Sequence, residues 1–371
     1  FAGNAVNFIR ELLNKHLSDQ INLTIEKESL GNTLQHFSSI KIKDSTRFQV
    51  PECFKQYYPG STGAATGAGV HIQFEFDFPN GKVSDLTVTD ALRQDTTDAQ
   101  QTMDNIEKGS LIIRDLGYFS TSVLEHAHQR EAYYITRPKP HLTFLHSRNG
   151  QYLNFNKIYQ EMRRKRLIHM EIDVLIGEQN LPNRLIIEML PDNEVQRRLA
   201  KANREAEKKG RQLTGEYKSR ARLNLFITNI PVKWIPTQQV RKLYQLRWQI
   251  ELRFKAWKSF YHIDATKKMH RHRFECYIYS TLLLVMIQTE IANNFFSILW
   301  KHTSKPLSVL KFYKTSCQYI AELRRAIIEK GNTLLNYITF LYEVSHDKLL
   351  TEKRKSDSGS LIEILSANTI D

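Results

Sequence analysis

From Thr237 to Ile263 the apolar residues Leu243, Leu246, Ile250, Phe254 and Trp257 recur in steps of three and four, which predicts one amphipathic helix with a face to bury against a sheet. Beside that stripe stand Tyr244, Arg247, Glu251 and Lys258, at offsets of zero, three, seven and fourteen. At ~3.6 residues per turn those offsets share an arc of roughly 60°, so four polar side chains border the buried face. Upstream the period is two. Ile40, Ile42 and Asp44 take one side of a strand and Lys41 and Lys43 the other, with Asp44 at the strand's end. Two further alternating runs, Val70 to Phe78 and Lys82 to Thr89, are joined by Pro79-Asn80-Gly81, a hairpin signal. A helix over Asp95 to Ile106 follows, then a strand over Gly109 to Tyr118 in which Leu111, Ile113 and Asp115 share a side. A helix over residues 120 to 131 and a strand over Ala132 to Arg137 complete the order of an α/β mixed sheet flanked by helices.

The rest of the chain divides by composition. Residues 1–36, with Phe8, Leu12, Leu13 and Leu17 at helical spacing, read as the remnant of a helical region, and 37–139 as the first part of the sheet core. Residues 140–222 read as an insertion with strands over Leu167 to Ile176 and Leu185 to Leu190 and a basic run from Arg197 to Arg222. That run holds ten Lys or Arg against three Glu, a net of +7 out of the chain's +14. It reads either as a solvated loop or as a track for phosphates. Residues 223–264 bring the last core strand, Leu223 to Ile230, and the polar-edged helix; 265–371 are helical with a polar, loose tail from Thr351. The excess of 53 basic over 39 acidic residues favours a polyanionic partner. Cys53, Cys276 and Cys317 form no CxxC pair, so neither a disulfide framework nor a zinc site is expected. The longest apolar run, around Tyr277 to Ile287, falls short of the ~20 residues that span a bilayer and reads as a buried helix. The chain opens on Phe1, without an initiator Met or a signal peptide, and reads as lacking its N-terminal part.

The spacing Y-x2-R-x3-E-x6-K resembles the signature of the YREK-type bacterial insertion-sequence transposases, the insertion-sequence-four branch of the DDE transposases. The segments SIKIKDSTRFQVP around Asp44 and RDLGYF around Asp115 resemble that family's two aspartate regions. The resemblance implies a ribonuclease-H-like sheet, with a β-rich insertion before the last catalytic helix and a helical C-terminal region. It implies that Asp44, Asp115 and Glu251 are the catalytic acids. Three converging carboxylates require cations, and oxygen-only donors favour Mg2+ or Mn2+, two ions as the family has it. It implies nicking at the terminal inverted repeats of an element and joining to target DNA, often through a hairpin, by self-associated copies in a synaptic complex in the bacterial cytoplasm, at the nucleoid and away from membranes. Tyr244, Arg247 and Lys258 would hold DNA phosphates. Trp248 would stack on an unpaired base or else pack in the core, and Trp234 is a weaker candidate for the same pocket. Gly117 would allow a close turn beside metal or phosphate. His270 and His272 lack a third ligand nearby and read as surface or phosphate-facing histidines. A nuclease that cuts without joining and an inactive DNA-binding relic are the alternatives left open.

Overall fold

The computed structural model describes residues 2–20, 32–60, 67–140, 142–303, 305–329, 333–345, 348–350 and 365. In chain order it runs α1 (Ala2–Ser18), α2 (Asn32–Gln35), β1 (Ile40–Gln49), β2 (Gly69–Phe78), β3 (Val83–Asp90), α3 (Asp95–Gln101), β4 (Leu111–Arg114), α4 (Thr121–Gln129) and β5 (Tyr133–Thr136). There follow β6 (Leu145–His146), α5 (Phe155–Arg164), β7 (His169–Ile176), β8 (Leu181–Met189), α6 (Asp192–Lys208), α7 (Gly215–Arg220) and β9 (Leu223–Thr228). The chain then turns helical: α8 (Thr237–Tyr244), a 3-10 turn over Gln245–Arg247, α9 (Trp248–Ser259), α10 (Arg271–Thr303), α11 (Val309–Gln318), α12 (Ile320–Ile328) and α13 (Thr333–Ser345). Two compact units result, one of residues 1–98 with 245–371 and one of residues 99–244.

In the first unit β1, β2 and β3 pair antiparallel, Asp44 opposite Phe74 and Ile72 opposite Val88. The Asn80-Gly81 turn joins β2 to β3 as its sequence predicts. Gly81 has φ +73°, and a Cβ there would fall 2.0 Å from the Asn293 side chain, so both conformation and space demand glycine. The core stripe of the predicted helix is buried as expected, Leu243, Leu246, Ile250, Phe254 and Trp257 all lying below 8 % exposure. A second core gathers Phe295, Leu299, Phe312, Tyr313, Leu323 and Leu341 from the C-terminal helices. Helix α10 is long and apolar enough to cross a membrane by composition, but 61 % of its most apolar window is buried in protein, as a core helix should be. Helix α1 packs on α10 through a face different from the expected one: Val6 and Leu13 are buried, whereas Phe8 and Leu12 are exposed.

The second unit orders its strands β4-β5-β9-β8-β7-β6, with β4 and β5 parallel and the remaining pairs antiparallel. Its core joins Ile112, Tyr134, Phe144, Leu185, Ile187 and Ile227. The alternating strand runs of the insertion are present as β7 and β8.

Three sequence expectations need correction. Asp44 is not at a strand end, because Ser45 to Gln49 continue the alternation and β1 runs five residues beyond it. The helix from Thr237 is not uniform: it tightens to 3-10 over Gln245–Arg247, residues that are all good helix formers and so leave no breaker signal. The basic run is not a loop but mostly the helices α6 and α7. Gly117 sits in a tight 3-10 turn, Leu116–Tyr118, directly after Asp115. The tail from Thr351 lies outside the described residues, apart from residue 365.

Candidate active site

Residues directly opposite in an antiparallel pair share a face, so Asp44 and Phe74 point the same way. Phe74 meets Trp257 with ring centroids 5.0 Å apart and Phe254 at 6.2 Å. Helix α9 therefore lies over that face, and its polar edge comes to Asp44. Arg247 donates from Nη1 to Asp44 Oδ2 at 2.9 Å and from Nη2 to Glu251 Oε1 at 2.5 Å. The side chains are 17 % exposed at Asp44 and Arg247 and 32 % at Glu251, so the bridge is shielded but open on one side. Asp44 Oδ1 accepts the Ser45 backbone N–H at 2.8 Å. One guanidinium thus holds two carboxylates that would otherwise repel.

The remaining side chains expected at this edge divide by exposure. Trp248, the first residue of α9, is 47 % exposed, which removes the core-indole reading. Lys258 donates to the Arg47 carbonyl at 3.0 Å, and burial pulls its pKa below the ordinary lysine value. Tyr244 and Asp115 belong to the second unit. Asp115 follows β4 directly, at the end of the row Leu111 and Ile113 as its pattern predicts. Tyr244 is buried, its hydroxyl 3.5 Å from the Arg114 carbonyl and its ring 5.2 Å from Phe226. Trp234 packs edge-on to Tyr133 at 5.1 Å. His270 and His272 lie with ring centroids 5.3 Å apart, and His272 Nδ1 is 3.6 Å from Glu275. Among the described residues no three His, Cys, Asp or Glu side chains gather as a metal-holding group.

On the opposite face of β1 lies a buried polar layer that the alternation does not announce. Lys43, fully buried, meets Asp85 at 2.6 Å and Asp98 at 2.7 Å, and Arg93 meets Asp98 at 2.6 Å. Ser45 Oγ donates to Asp95 at 2.9 Å and Gln73 Nε2 at 3.0 Å, while His71 Nε2 lies 3.3 Å away. Burial opposes ionisation of Asp95, but the hydrogen bonds from His71, Gln73 and Ser45 prevail and lower its pKa to about 2. The sequence signal was the run of polar residues at alternate positions of β2, His71, Gln73 and Glu75, all buried.

In the second unit a cleft of about 440 Å3 is lined by Arg137, Arg198, Lys201, Tyr217 and Arg220 among others. Arg220 is committed to the carbonyls of Lys139 and Leu142, at 2.7 and 3.3 Å. Arg198 donates to Asn224 at 2.7 Å, and burial, with the Arg137 charge nearby, pulls its pKa down.

Residues 35–287 match the family described as the Transposase DDE domain. The chain belongs to the DDE transposases of insertion sequences. It is 32 % identical over 327 residues to the transposase for insertion sequence element IS231F of Bacillus thuringiensis subsp. israelensis, covering 84 % of this chain and 68 % of that one. It is 29 % identical over 359 residues to that of IS231B of Bacillus thuringiensis subsp. berliner, covering 93 % and 75 %. Against the transposase of IS1151 of Clostridium perfringens the identity is 27 % over 350 residues, covering 90 % and 73 %. The chain is thus an α/β, ribonuclease-H-like enzyme of DNA cleavage and strand transfer, and a transposase of this family uses divalent metal. The donor chemistry fits that use: Asp44 and Glu251 offer carboxylate oxygens on either side of one positive charge.

Proposed function

We propose that Asp44, Asp115 and Glu251 are the catalytic acids of this transposase and hold Mg2+ or Mn2+, in a pair of ions. The observation that carries the reading is Arg247 bridging Asp44 and Glu251, two acids 207 positions apart by subtraction of their numbers, brought to one cation. When bound, such ions activate a water or a DNA 3′-hydroxyl and stabilise the leaving oxygen at a phosphodiester. The chain's own residues do the rest. Ser45 N–H orients Asp44, and Arg247, which holds Asp44 and Glu251 in this structure, has the planar fork that would suit a DNA phosphate beside the acids. Lys258, half-buried against the Arg47 carbonyl, adds a point charge beside the same helix. Trp248, exposed next to Arg247, stacks on an unpaired base at the cleaved end. Tyr244 is assigned to the backbone of the same DNA through the resemblance alone, since its hydroxyl is turned to the Arg114 carbonyl.

The substrate in this reading is the terminal inverted repeats of the element and then target DNA, handled by self-associated copies in a synaptic complex in the bacterial cytoplasm at the nucleoid. The basic cleft of the second unit supports a phosphate-guiding role for the basic run, because Lys201 of that run and Arg137, just before the insertion, line it with no ion pair among the described residues. The test is Glu251→Gln, which keeps volume and helix propensity but removes the charge. Cleavage and joining of DNA bearing the element's ends should fall by about two orders of magnitude or more while the thermal midpoint barely moves. Wild-type activity should also vanish in excess EDTA. An active Gln variant would overturn the assignment of Glu251.

A further inference from the structure

Two residues beyond Glu251, Arg253 points the other way, into the core of the first unit. The residue is 7 % exposed, and the guanidinium carbon stands 4.0 Å above the centroid of the fully buried Phe76 ring. Nη1 donates to the Gln249 carbonyl at 3.2 Å; Nε is buried with no hydrogen-bond partner. Two other buried cations have acids: Lys43 has Asp85 and Asp98, and Arg184 has Glu171 at 2.7 Å. Among the described residues no carboxylate reaches Arg253. A guanidinium does not shed its proton in a protein, so the charge stays and asks for compensation.

Beside it is a recess of about 40 Å3, lined by Arg253, Gln249, Asn293 and Tyr313 with apolar walls that include Phe78 and Phe296. Thr289 Oγ1 spends its one proton on the Val285 carbonyl at 2.7 Å, so the 2.7 Å contact between Thr289 and Tyr313 has the tyrosine as donor. Tyr313 therefore has no proton for a ligand. The remaining donors at the recess are the Arg253 guanidinium and side-chain amides: Gln249, and Asn293 with the N–H it does not give to the Gly81 carbonyl at 2.9 Å. Fixed cation, amide donors and apolar walls suit an anion. A volume of this order holds a few waters at ~10–15 Å3 each, which is room for one small ion and not for a phosphodiester backbone.

We propose that this recess binds one small monovalent anion, a halide being the simplest, as the counter-charge of Arg253 beneath the helix that carries Glu251. The probes are chloride and bromide, compared with gluconate at constant ionic strength, and the readout is thermal unfolding of the full chain. The wild-type midpoint should rise saturably with halide, by about 2–4 °C at concentrations well above the dissociation constant. Arg253→Met keeps the stem on Phe76 and removes the charge; its midpoint should be flat in halide and, in gluconate, no lower than the wild type's. A second reading does not depend on the variant folding: crystals of the wild type grown in bromide should show one anomalous peak in the recess beside the Arg253 guanidinium. The same halide response in wild type and Arg253→Met, or a recess without bromide, would overturn the proposal.

Discussion

Arg247 is the residue on which the acids meet. It supplies to Asp44 and Glu251 the positive charge that two half-buried carboxylates need, and it does so from the helix turn just before Glu251. Removing it while keeping an apolar stem leaves two like charges at one place. Arg247→Met should therefore unfold at a lower temperature than the wild type in EDTA, by an amount corresponding to about 1–3 kcal/mol for a partly buried bridge. Millimolar Mg2+ should restore most of the loss in the variant and shift the wild type less, since the metal takes over the role of the missing guanidinium. Thermal melts of both proteins with and without Mg2+ make the comparison. A variant whose midpoint ignores Mg2+ would mean that Asp44 and Glu251 do not share an ion.

At the scale of elements, the strand period placed Asp115 at the end of its apolar row and the helix period placed the buried stripe, because burial against a sheet imposes spacing that the sequence must show, whereas the end of β1 was set five residues too early. Leu243, Leu246, Ile250, Phe254 and Trp257 are legible for that reason. What escaped was compensation between distant polar groups. Lys43 looks like the solvent side of a strand until Asp85 and Asp98 arrive from β3 and α3, and nothing local in its alternation marks the pair. The 3-10 turn at Gln245–Arg247 and the helical form of the basic run were equally hidden, the first among good helix formers and the second under its charge. Asp95, at the start of α3, gives this hidden layer a pH signature. Its folded pKa of about 2 lies below the unfolded value, so its contribution is present above pH ~4 and is lost as pH falls toward 2. Asp95→Asn should lower stability by about 2 kcal/mol at pH 7, with the gap from wild type narrowing between pH 4 and pH 2. Urea unfolding across that range reads it; a gap constant with pH would show that the carboxylate charge is not what His71, Gln73 and Ser45 stabilise.

For the molecule as a whole, charge decides how DNA is met before chemistry begins. The net +14 gives attraction to any duplex, yet its use depends on which cations are already spent inside the protein. Arg220 is spent on backbone carbonyls and Arg198 on Asn224, whereas Arg137 and Lys201 line the cleft without an ion pair among the described residues. If these two neutralise phosphates, each contributes to counterion release, and the logarithm of the association constant should fall with the logarithm of salt by ~0.9 per phosphate contacted. The double variant Arg137→Gln, Lys201→Gln should therefore bind DNA with a slope shallower by roughly 1.8 than the wild type. Because phosphate contacts carry no sequence information, the loss should be the same on DNA with and without the element's ends. Arg220→Gln is the counter-case: it should cost stability by freeing the carbonyls of Lys139 and Leu142, and change the salt slope less. Titrations between about 50 and 200 mM salt, by fluorescence anisotropy on the two duplexes, measure all three proteins. An unchanged slope in the double variant would place the phosphate track elsewhere on the basic surface, and a loss confined to the element's ends would make the cleft a reader of sequence.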